Sequence, residues 1–288
     1  MMGGSYVWSA LMRRFFQVVG VVAMLQWTGI SAGAGEGSGL VGGQPFKHLP
    51  GGAITDYQLG GAYPPPAGVN VVARDSTAAP ARGLYNICYV NGFQSQPGAA
   101  WPREFLVTDK KGEPLVDPDW PDEYLLNVSS EDLRLAILKR LAITISNCAR
   151  AGFDAVEFDN LDSFTRSKGA LKQSDAVAFA ALLVRVAHEQ GLAAGQKNTP
   201  QLSDRERERI GFDFAVSEEC HRYDECSEYT RYYGDKVINI EYTDNLRGRF
   251  ADVCAIPTTP RDTVLRDRKL LPAPREGHRF SHCLIKAG

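Results

Sequence analysis

The sequence predicts a single α/β domain built as a (β/α)8 TIM-like barrel. In the second half of the 288-residue chain, a helix-forming segment, a glycine, a short apolar strand and a loop follow one another four times. Such alternation is typical of parallel strands joined by helical crossovers. About 250 residues of it suit a closed eight-stranded barrel, with a doubly wound open sheet as the second choice. None of the connections between these predicted strands and helices carries the Gly-x-Gly-x-x-Gly or Gly-x-x-x-x-Gly-Lys loops that bind nucleotides.

The first half of the barrel is predicted from two apolar runs. Residues 69–73 and 84–90 are rich in valine, isoleucine and tyrosine, which favour strands. The second run ends in a polar segment, residues 91–96. Residues 101–120 are loop-like, with aromatic residues and prolines.

The second half contains the four repeated units. Ser129 can cap a helix whose apolar residues recur every fourth position from Leu133. Further helices are expected from Ser174, from the Ser203 capping box and over residues 224–233. The strands that follow the glycines are predicted at residues 153–156, 192–195, 212–216 and 237–240.

Residues 1–34 have the organisation of a secretory signal peptide. Two arginines precede an apolar stretch at 15–30, and an Ala-x-Ala site predicts cleavage after Ala34. An uncleaved membrane anchor is the alternative, but the stretch is short for a membrane span. Glycine-rich residues 35–52 are predicted to be a flexible linker, with the barrel over 53–288. The mature protein is then secreted or periplasmic, with no membrane segment.

The six cysteines of an exported chain are expected to form disulfides. Two pairs are suggested by closeness and by the need to hold the C-terminal tail, and the third pair is what remains. The predicted pairs are Cys220 with Cys226, Cys254 with Cys283, and Cys88 with Cys148. A zinc site is less favoured, because there is no Cys-x-x-Cys pair and only single histidines, His221 and His282, stand next to a cysteine.

The net charge of −2, from 32 basic and 34 acidic residues, includes no basic stripe, so a nucleic-acid partner is not expected. Polar residues instead recur at a fixed distance from the four glycines. Seven residues after each glycine stand Asp159, Asn198, Glu218 and Glu241. The carboxyl ends of barrel strands carry active sites. The offset therefore predicts these four side chains at one rim.

More acidic residues lie close to that rim in sequence, namely Glu157, Asp162 and Glu219, with Asn160 beside them. Crowded carboxylates repel, so one holds a proton while its neighbour stays ionised. Glycoside hydrolysis needs that division of roles. A divalent metal held by oxygen ligands and a non-catalytic cleft for a cationic ligand are the other interpretations.

Several further residues are candidates for binding substrate. Arg74 and Asp75 end an early strand, and Lys197 can donate hydrogen bonds to hydroxyl groups beside Asn198. Tyr242 is the aromatic residue best placed for exposed stacking against a sugar. The aromatic residues considered with it are Phe93, Trp101, Trp120, Phe158 and Tyr223.

A series of short motifs between residues 53 and 245 becomes specific through its order and spacing. The motifs are Tyr57-Gln58-Leu59, Cys88-Tyr89, Gly152-Phe153-Asp154, Asp159-Asn160-Leu161-Asp162, Gly191-Leu192, Lys197-Asn198, Glu218-x-Cys220, Tyr223-x-x-Cys226, and Lys236 to Glu241-Tyr242. On these residues the chain resembles the endo-α-1,4-polygalactosaminidases, glycoside hydrolase family 114. One departure concerns residues 91–96, which stand where many members have a Ser-x-Gly segment with Glu and Arg after the second strand.

The resemblance implies a (β/α)8 enzyme that cleaves within α-1,4-linked galactosamine polymers without a cofactor or metal. Its catalytic pair would be an Asp after the fourth strand and a Glu after the sixth, here Asp159 and Glu218. Tyr89 joins the expected substrate-binding residues. A cationic polymer also fits a rim rich in acid. We therefore expect a secreted, monomeric glycoside hydrolase, with a metal-dependent polysaccharide hydrolase or deacetylase and a saccharide-binding barrel as alternatives.

Overall fold

The computed structural model describes residues 45–284, which form a barrel of parallel strands. Strands β1 to β8 pair in sequential order and all in parallel, and β9 pairs antiparallel with β8. The (β/α)8 prediction is thereby confirmed. The strands are β1 (Thr55–Tyr57), β2 (Val71–Asp75), β3 (Tyr85–Asn91), β4 (Ala155–Asp159), β5 (Ala193–Lys197), β6 (Phe214–Glu218), β7 (Val237–Tyr242), β8 (Asp262–Arg266) and β9 (Phe280–His282).

The helices cover the second half of the barrel more completely than the first. Within residues 58–70 and 76–84, all of which are described, no helix connects β1 to β2 or β2 to β3. A long insert, residues 92–128, precedes the first helix. The helices are α1 (Glu131–Ala151), α2 (Ser163–Arg166), α3 (Gln173–Glu189), α4 (Asp204–Ile210), α5 (Cys226–Tyr233) and α6 (Phe250–Cys254), with a 3-10 turn at Arg103–Phe105.

Side chains close the barrel between its first and last parallel strands. Both the backbone N–H and the hydroxyl of Thr55 donate to the carboxylate of Asp262, at 2.9 and 2.6 Å. The fully buried Arg266 forms an ion pair with Asp56 at 2.9 Å and donates to the carbonyl of Tyr57. Buried charged groups need such partners. The seam is therefore held by polar side chains from β1 and β8.

Two predicted features change in detail. The cap of α1 is Ser130, whose hydroxyl accepts from the N–H of Leu133, and it lies one residue after the predicted Ser129. The three-residue strand β1 was not predicted, so the polar segment 91–96 follows the third strand rather than the second.

The proposed signal peptide and the linker up to residue 44 lie outside the described residues. The described part of the predicted linker packs against the barrel. Leu49 is buried in the interior cluster, and Lys47 pairs with Asp154 at 2.8 Å. The packed structure thus begins before residue 53.

All three predicted cysteine pairs are present, as Cys88–Cys148, Cys220–Cys226 and Cys254–Cys283. The first ties β3 to α1. The second closes a short loop directly after β6, and the third ties α6 to the residue after β9.

Candidate active site

Alternation along the strands decides which polar residues enter the barrel. On β4 and β6 the interior cluster contains Ala155, Phe214 and Val216, so the last residue of each strand, Asp159 or Glu218, also points inward. Both stand seven residues after a glycine. At these two positions of the predicted repeat, the seventh residue after the glycine therefore faces the barrel interior; we call this the same phase.

The other two positions of the repeat are out of phase. On β5, Ala193 belongs to the interior cluster, so Lys197 is the inward residue at the end of the strand. On β7 the interior residues are Ile238, Ile240 and Tyr242. Glu241 therefore lies on the outer side of its strand, contrary to the prediction.

Lys197 occupies the centre of the site. Its side chain is 2% exposed, and its Nζ lies 3.5 Å from Oδ2 of Asp159 and 3.3 Å from Oε2 of Glu218. Because both oxygens lie so close to one nitrogen, they are no more than about 7 Å apart. The two carboxylates thus flank a space that one glycosidic bond can occupy.

Each of the two carboxylates has its own hydrogen-bond donors. Asp159 accepts from the hydroxyl of Tyr89 at 2.8 Å and from the N–H of Asn160 at 2.7 Å. Glu218 accepts from the amide of Asn198 at 2.9 Å and from the hydroxyl of Tyr242. These bonds hold both acids in one orientation before substrate arrives.

The strands end in a left-handed backbone that turns the chain away from the rim. Asn160, Asn198, Thr199 and Glu219 all have positive φ, between 46° and 65°. Such conformations cost free energy in non-glycine residues and cluster at functional sites. Arg268 holds the strained Glu219 through two bonds of 2.9 and 3.0 Å.

The charged groups of the site shift one another's pKa values. Burial alone would raise the pKa of Glu218, but Lys197, Tyr242 and Asn198 together lower it below its usual range. Burial would likewise lower the pKa of Lys197, yet Asp159, Glu218 and Glu157 raise it well above normal. Lys197 is therefore an ammonium ion throughout the physiological range, and Glu218 is ionised without substrate.

A cavity of about 1100 Å³ opens above these residues. Ten of the predicted site residues line it, and they come from the strand ends and the loops that follow. They are Asp75, Tyr89, Asp159, Asn160, Asp162, Lys197, Asn198, Glu218, Glu219 and Tyr242.

The cavity wall is strongly acidic. It contains nine carboxylates against four basic side chains, so the lining carries negative charge. The basic residues are largely neutralised, since Arg166 pairs with Asp117 and Asp162 while Arg268 pairs with Glu219. A cationic ligand is therefore favoured over an anionic one.

Two exposed aromatic residues line the cavity. Trp120, from the insert 92–128, is 59% exposed, and Tyr223, from the loop after β6, is 58% exposed. The prediction that Tyr242 is the exposed aromatic is wrong. Its ring is buried and stacks beneath Arg268, because its hydroxyl is directed at Glu218. Phe93 and Phe158 are core residues, and Trp101 packs beside a separate groove.

Three predicted site residues do not line the cavity. Arg74 points outward, and its guanidinium donates to Gln58 and to the carbonyls of Tyr63 and Ala79, so it holds two loops together. Glu157 is fully buried below the cavity.

Glu241 faces the loop after β6, where its Oε1 accepts from the N–H of His221 at 2.9 Å and from Asn239 at 3.0 Å. On β7 the inward residue is one position later than on β4 and β6, which explains why the repeated offset selected Glu241 wrongly.

Tyr57, Glu123 and Arg268 belong to the site or its supports but were not predicted. Tyr57 lies at the end of β1 and Arg268 lies just after β8. The sequence pattern predicted neither of these two strands. Glu123 lies in the aperiodic insert, where its Oε2 accepts from Asn91 at 2.8 Å. Burial raises the pKa of Glu123 to about 7.

Residues 45–284 contain no group of three or more histidine, cysteine, aspartate or glutamate side chains placed to hold a metal ion. Over the same residues, none of the helices has the length and apolar character that crossing a membrane requires.

An eight-stranded parallel barrel with paired carboxylates at its carboxyl-end rim defines a class of barrel enzymes. The profile of glycoside-hydrolase family GH114 matches residues 42–287, so the chain belongs to this family and is a glycoside hydrolase. None of the curated proteins compared with the chain matches its sequence.

The fold is shared by a solved structure. The crystal structure of Aspergillus fumigatus Ega3 in complex with galactosamine is 21% identical, with a TM-score of 0.67, over 84% of this chain and 100% of Ega3. The glycoside hydrolase domain of Pseudomonas aeruginosa PelA is 15% identical, with a TM-score of 0.49, over 75% of this chain and 95% of that domain.

Proposed function

We propose that this hydrolase cleaves internal α-1,4 bonds of a cationic, galactosamine-rich polysaccharide, using Asp159 and Glu218 as its catalytic pair. The observation that carries the proposal is the position of Lys197, buried between these two carboxylates at the base of an acidic cavity. Neither carboxylate pairs with an arginine among the described residues.

Asp159 is proposed as the nucleophile or base. Its carboxylate accepts two hydrogen bonds and lies close to Lys197, and these contacts hold it in one orientation at the cavity. Glu218 is then the proton donor. Its lowered pKa rises when a sugar excludes water and takes over the hydrogen bonds of Asn198 and Tyr242, because those bonds now stabilise its anion.

The charge of the cavity supports a cationic polymer as substrate. Deacetylated galactosamine units carry ammonium groups near neutral pH, and Asp119, Glu123 and Glu225 line the cavity without an arginine or lysine partner among the described ion pairs. The presence of galactosamine in the related Ega3 structure supports the same sugar. The exposed faces of Trp120 and Tyr223, which both line the cavity, offer stacking surfaces for sugar rings.

Export of the protein would fit the same substrate, because an exported hydrolase meets polysaccharides outside the cell. We propose that residues 1–34 are removed as a signal peptide, that the barrel lies within 53–288 behind a short linker, and that the mature protein is a secreted or periplasmic monomer. Three disulfides are the pattern of an oxidising compartment.

The test is to size the products released from a partly deacetylated α-1,4-galactosaminan by mass spectrometry, using protein secreted from a disulfide-forming host. The comparison polymer is the same preparation after complete N-acetylation, which removes the positive charges and adds an acetyl group at each amine. We expect oligosaccharides of mixed length from the cationic polymer, with and without a chelator, and at least a tenfold slower release from the neutral one.

Other results would contradict parts of this proposal. Activity that a chelator abolishes and a divalent ion restores would indicate a metal-dependent enzyme. Binding of the polymer with no product would indicate a saccharide-binding barrel, and equal cleavage of both polymers would exclude charge as the basis of recognition.

A further inference from the structure

Glu157 is a buried carboxyl group that the catalytic pair does not require. It points inward on β4 two residues before Asp159, and it has no exposed surface. On one side its surroundings are apolar. The ring of Phe214 fills the space beside Gly195, where a Cβ atom would lie only 2.6 Å from that ring. An acidic side chain at such a position costs free energy, so a glutamate there calls for an explanation.

One tyrosine connects Glu157 to the catalytic pair. The hydroxyl of Tyr57 donates to Oε1 of Glu157 and accepts from Nζ of Lys197 at 3.0 Å. The same Nζ lies 4.0 Å from Glu157 and contacts both Asp159 and Glu218. The ammonium group thus donates a hydrogen bond to Tyr57 and lies within ion-pair distance of Asp159 and Glu218.

Three carboxylates therefore share one buried cation. Coulomb attraction to Lys197 balances at most one of them fully, so the site retains a proton more readily than isolated acids would. The charged or titratable groups that face Glu157 are Tyr57 on β1, Tyr89 on β3, Asp159 on β4, Lys197 on β5 and Glu218 on β6.

We propose that Glu157 is a positioning residue of the hydrolase: through Tyr57 and Lys197 it governs how much of the ammonium charge acts on Asp159 and Glu218, and so the pH range in which the pair works. This inference rests on the proposed function of that pair. Glu157 itself contacts no substrate, because it does not line the cavity.

The direction of the effect follows from the charge of Glu157. Burial is the largest of the causes that raise its pKa to about 7, against the opposing effects of Lys197 and Tyr57. Below pH 6 the group is neutral and leaves the full ammonium charge to the pair. Above pH 7 it becomes an anion, which competes for Lys197 and repels the ionised form of the proton donor. The donor then keeps its proton to a higher pH.

The test is the pH dependence of kcat for Glu157→Gln, which keeps the acceptor oxygen for Tyr57 but never ionises. The alkaline limb of kcat reports the proton donor in the enzyme–substrate complex, where Glu218 holds its proton. We expect it to move about one pH unit downwards, the size expected for partly screened buried charges. The acidic limb stays in place, because glutamine and protonated glutamic acid are both neutral there.

Glu241→Gln is the matched control. Glu241 is as fully buried, burial also raises its pKa, and it lies outside the cavity with no contact to Lys197. A purely structural role predicts the same outcome for both variants, namely altered thermal stability with unchanged limbs. A profile of Glu157→Gln that superimposes on the wild type would overturn the inference and leave the catalytic assignment standing.

A second measurement needs neither turnover nor a stable variant at position 157. Carbon-13 NMR of glutamate-labelled protein follows each side-chain carboxyl through a pH titration. We expect the carboxyl signals of Glu157 and Glu123 to titrate with midpoints near pH 7 in the wild type, and Glu123→Gln to lose one of these two signals, since burial raises both pKa values to about 7. Absence of a remaining signal in Glu123→Gln would contradict the inference even if no substrate were cleaved.

Discussion

Strands β4 and β6 differ from β5 and β7 in what they bring to the site, although the same local unit of helix, glycine and strand produces all four. β4 and β6 bring their seventh residue after the glycine into the barrel, and it is an acid in both, Asp159 and Glu218. In β5 the inward residue comes one position earlier, at Lys197. In β7 it comes one position later, at Tyr242.

The conformation of the glycine accounts for the difference. Gly152 and Gly211 are both left-handed C-caps, with ψ of 26° and 32°. Gly234 has φ of 62° but ψ of −121°, and Gly191 follows a helix that is already capped at Gln190. Equal spacing in sequence therefore gives equal direction in space only where the turn has the same geometry.

The largest expected effect separates Glu218 from Glu241, which share the offset but not the phase. Glu218→Gln removes the carboxyl of the proposed proton donor with little change in side-chain volume, so we expect kcat to fall by about 10²–10⁴-fold, as Asp159→Asn should also do. Glu241→Gln alters a buried contact on the outer side of β7 and should leave kcat within about threefold. Reducing-end release from the polymer measures all three variants.

Circular dichroism at the same protein concentration provides the control for folding. Near-normal turnover in both Glu218→Gln and Asp159→Asn would contradict the catalytic assignment. A comparable loss in Glu241→Gln would contradict the argument from strand phase.

Much of the fold was predictable because its signals are local. Helix caps, apolar periodicity and glycines reveal four units between residues 129 and 240, since each unit carries its own start and stop. β1 has three residues and no helix after it, and no glycine stands among residues 249–261 before β8, so neither strand carries the local signals of the four units. The seam between them depends on Thr55 meeting Asp262, a contact between distant positions that no local pattern contains.

The candidate site was predictable to the extent that its residues end predicted strands. Asp159 and Glu218 were selected by offset, and the resemblance selected the same two residues. Glu241 was selected by the same rule and lies elsewhere, because counting cannot distinguish the two faces of β7. Tyr57 and Glu123 were missed, since one belongs to an unpredicted strand and the other to an insert without periodicity.

A second prediction tests why β5 ends inward in a lysine. Lys197→Met keeps the length of the side chain but leaves Glu157, Asp159 and Glu218 without their shared cation. Removing one partner of a buried ion cluster costs about 3–5 kcal/mol. We expect that loss in the free energy of unfolding measured with urea at pH 7.

The loss should shrink at pH 4, because protonation of the carboxyl groups removes the repulsion that the substitution exposes. The adjacent Asn198→Ala, which removes one uncharged hydrogen-bond donor to Glu218, should cost only about 1 kcal/mol at pH 7. Equal costs for Lys197→Met and Asn198→Ala would show that the cluster is not held together by the ammonium charge.

The smallest expected effect concerns the glycines themselves. Asparagine tolerates the left-handed conformation of Gly211 but not the φ of 62° and ψ of −121° at Gly234. Space does not decide the comparison, because a Cβ atom at Gly211 meets only Val184 at 3.8 Å and one at Gly234 meets nothing within 4 Å. We expect Gly211→Asn to cost under about 1 kcal/mol of unfolding free energy and Gly234→Asn about 2 kcal/mol or more. Equal costs in urea denaturation would contradict this difference between the two turns. The conformation of Gly234 would then not explain why Tyr242, rather than Glu241, faces the barrel interior.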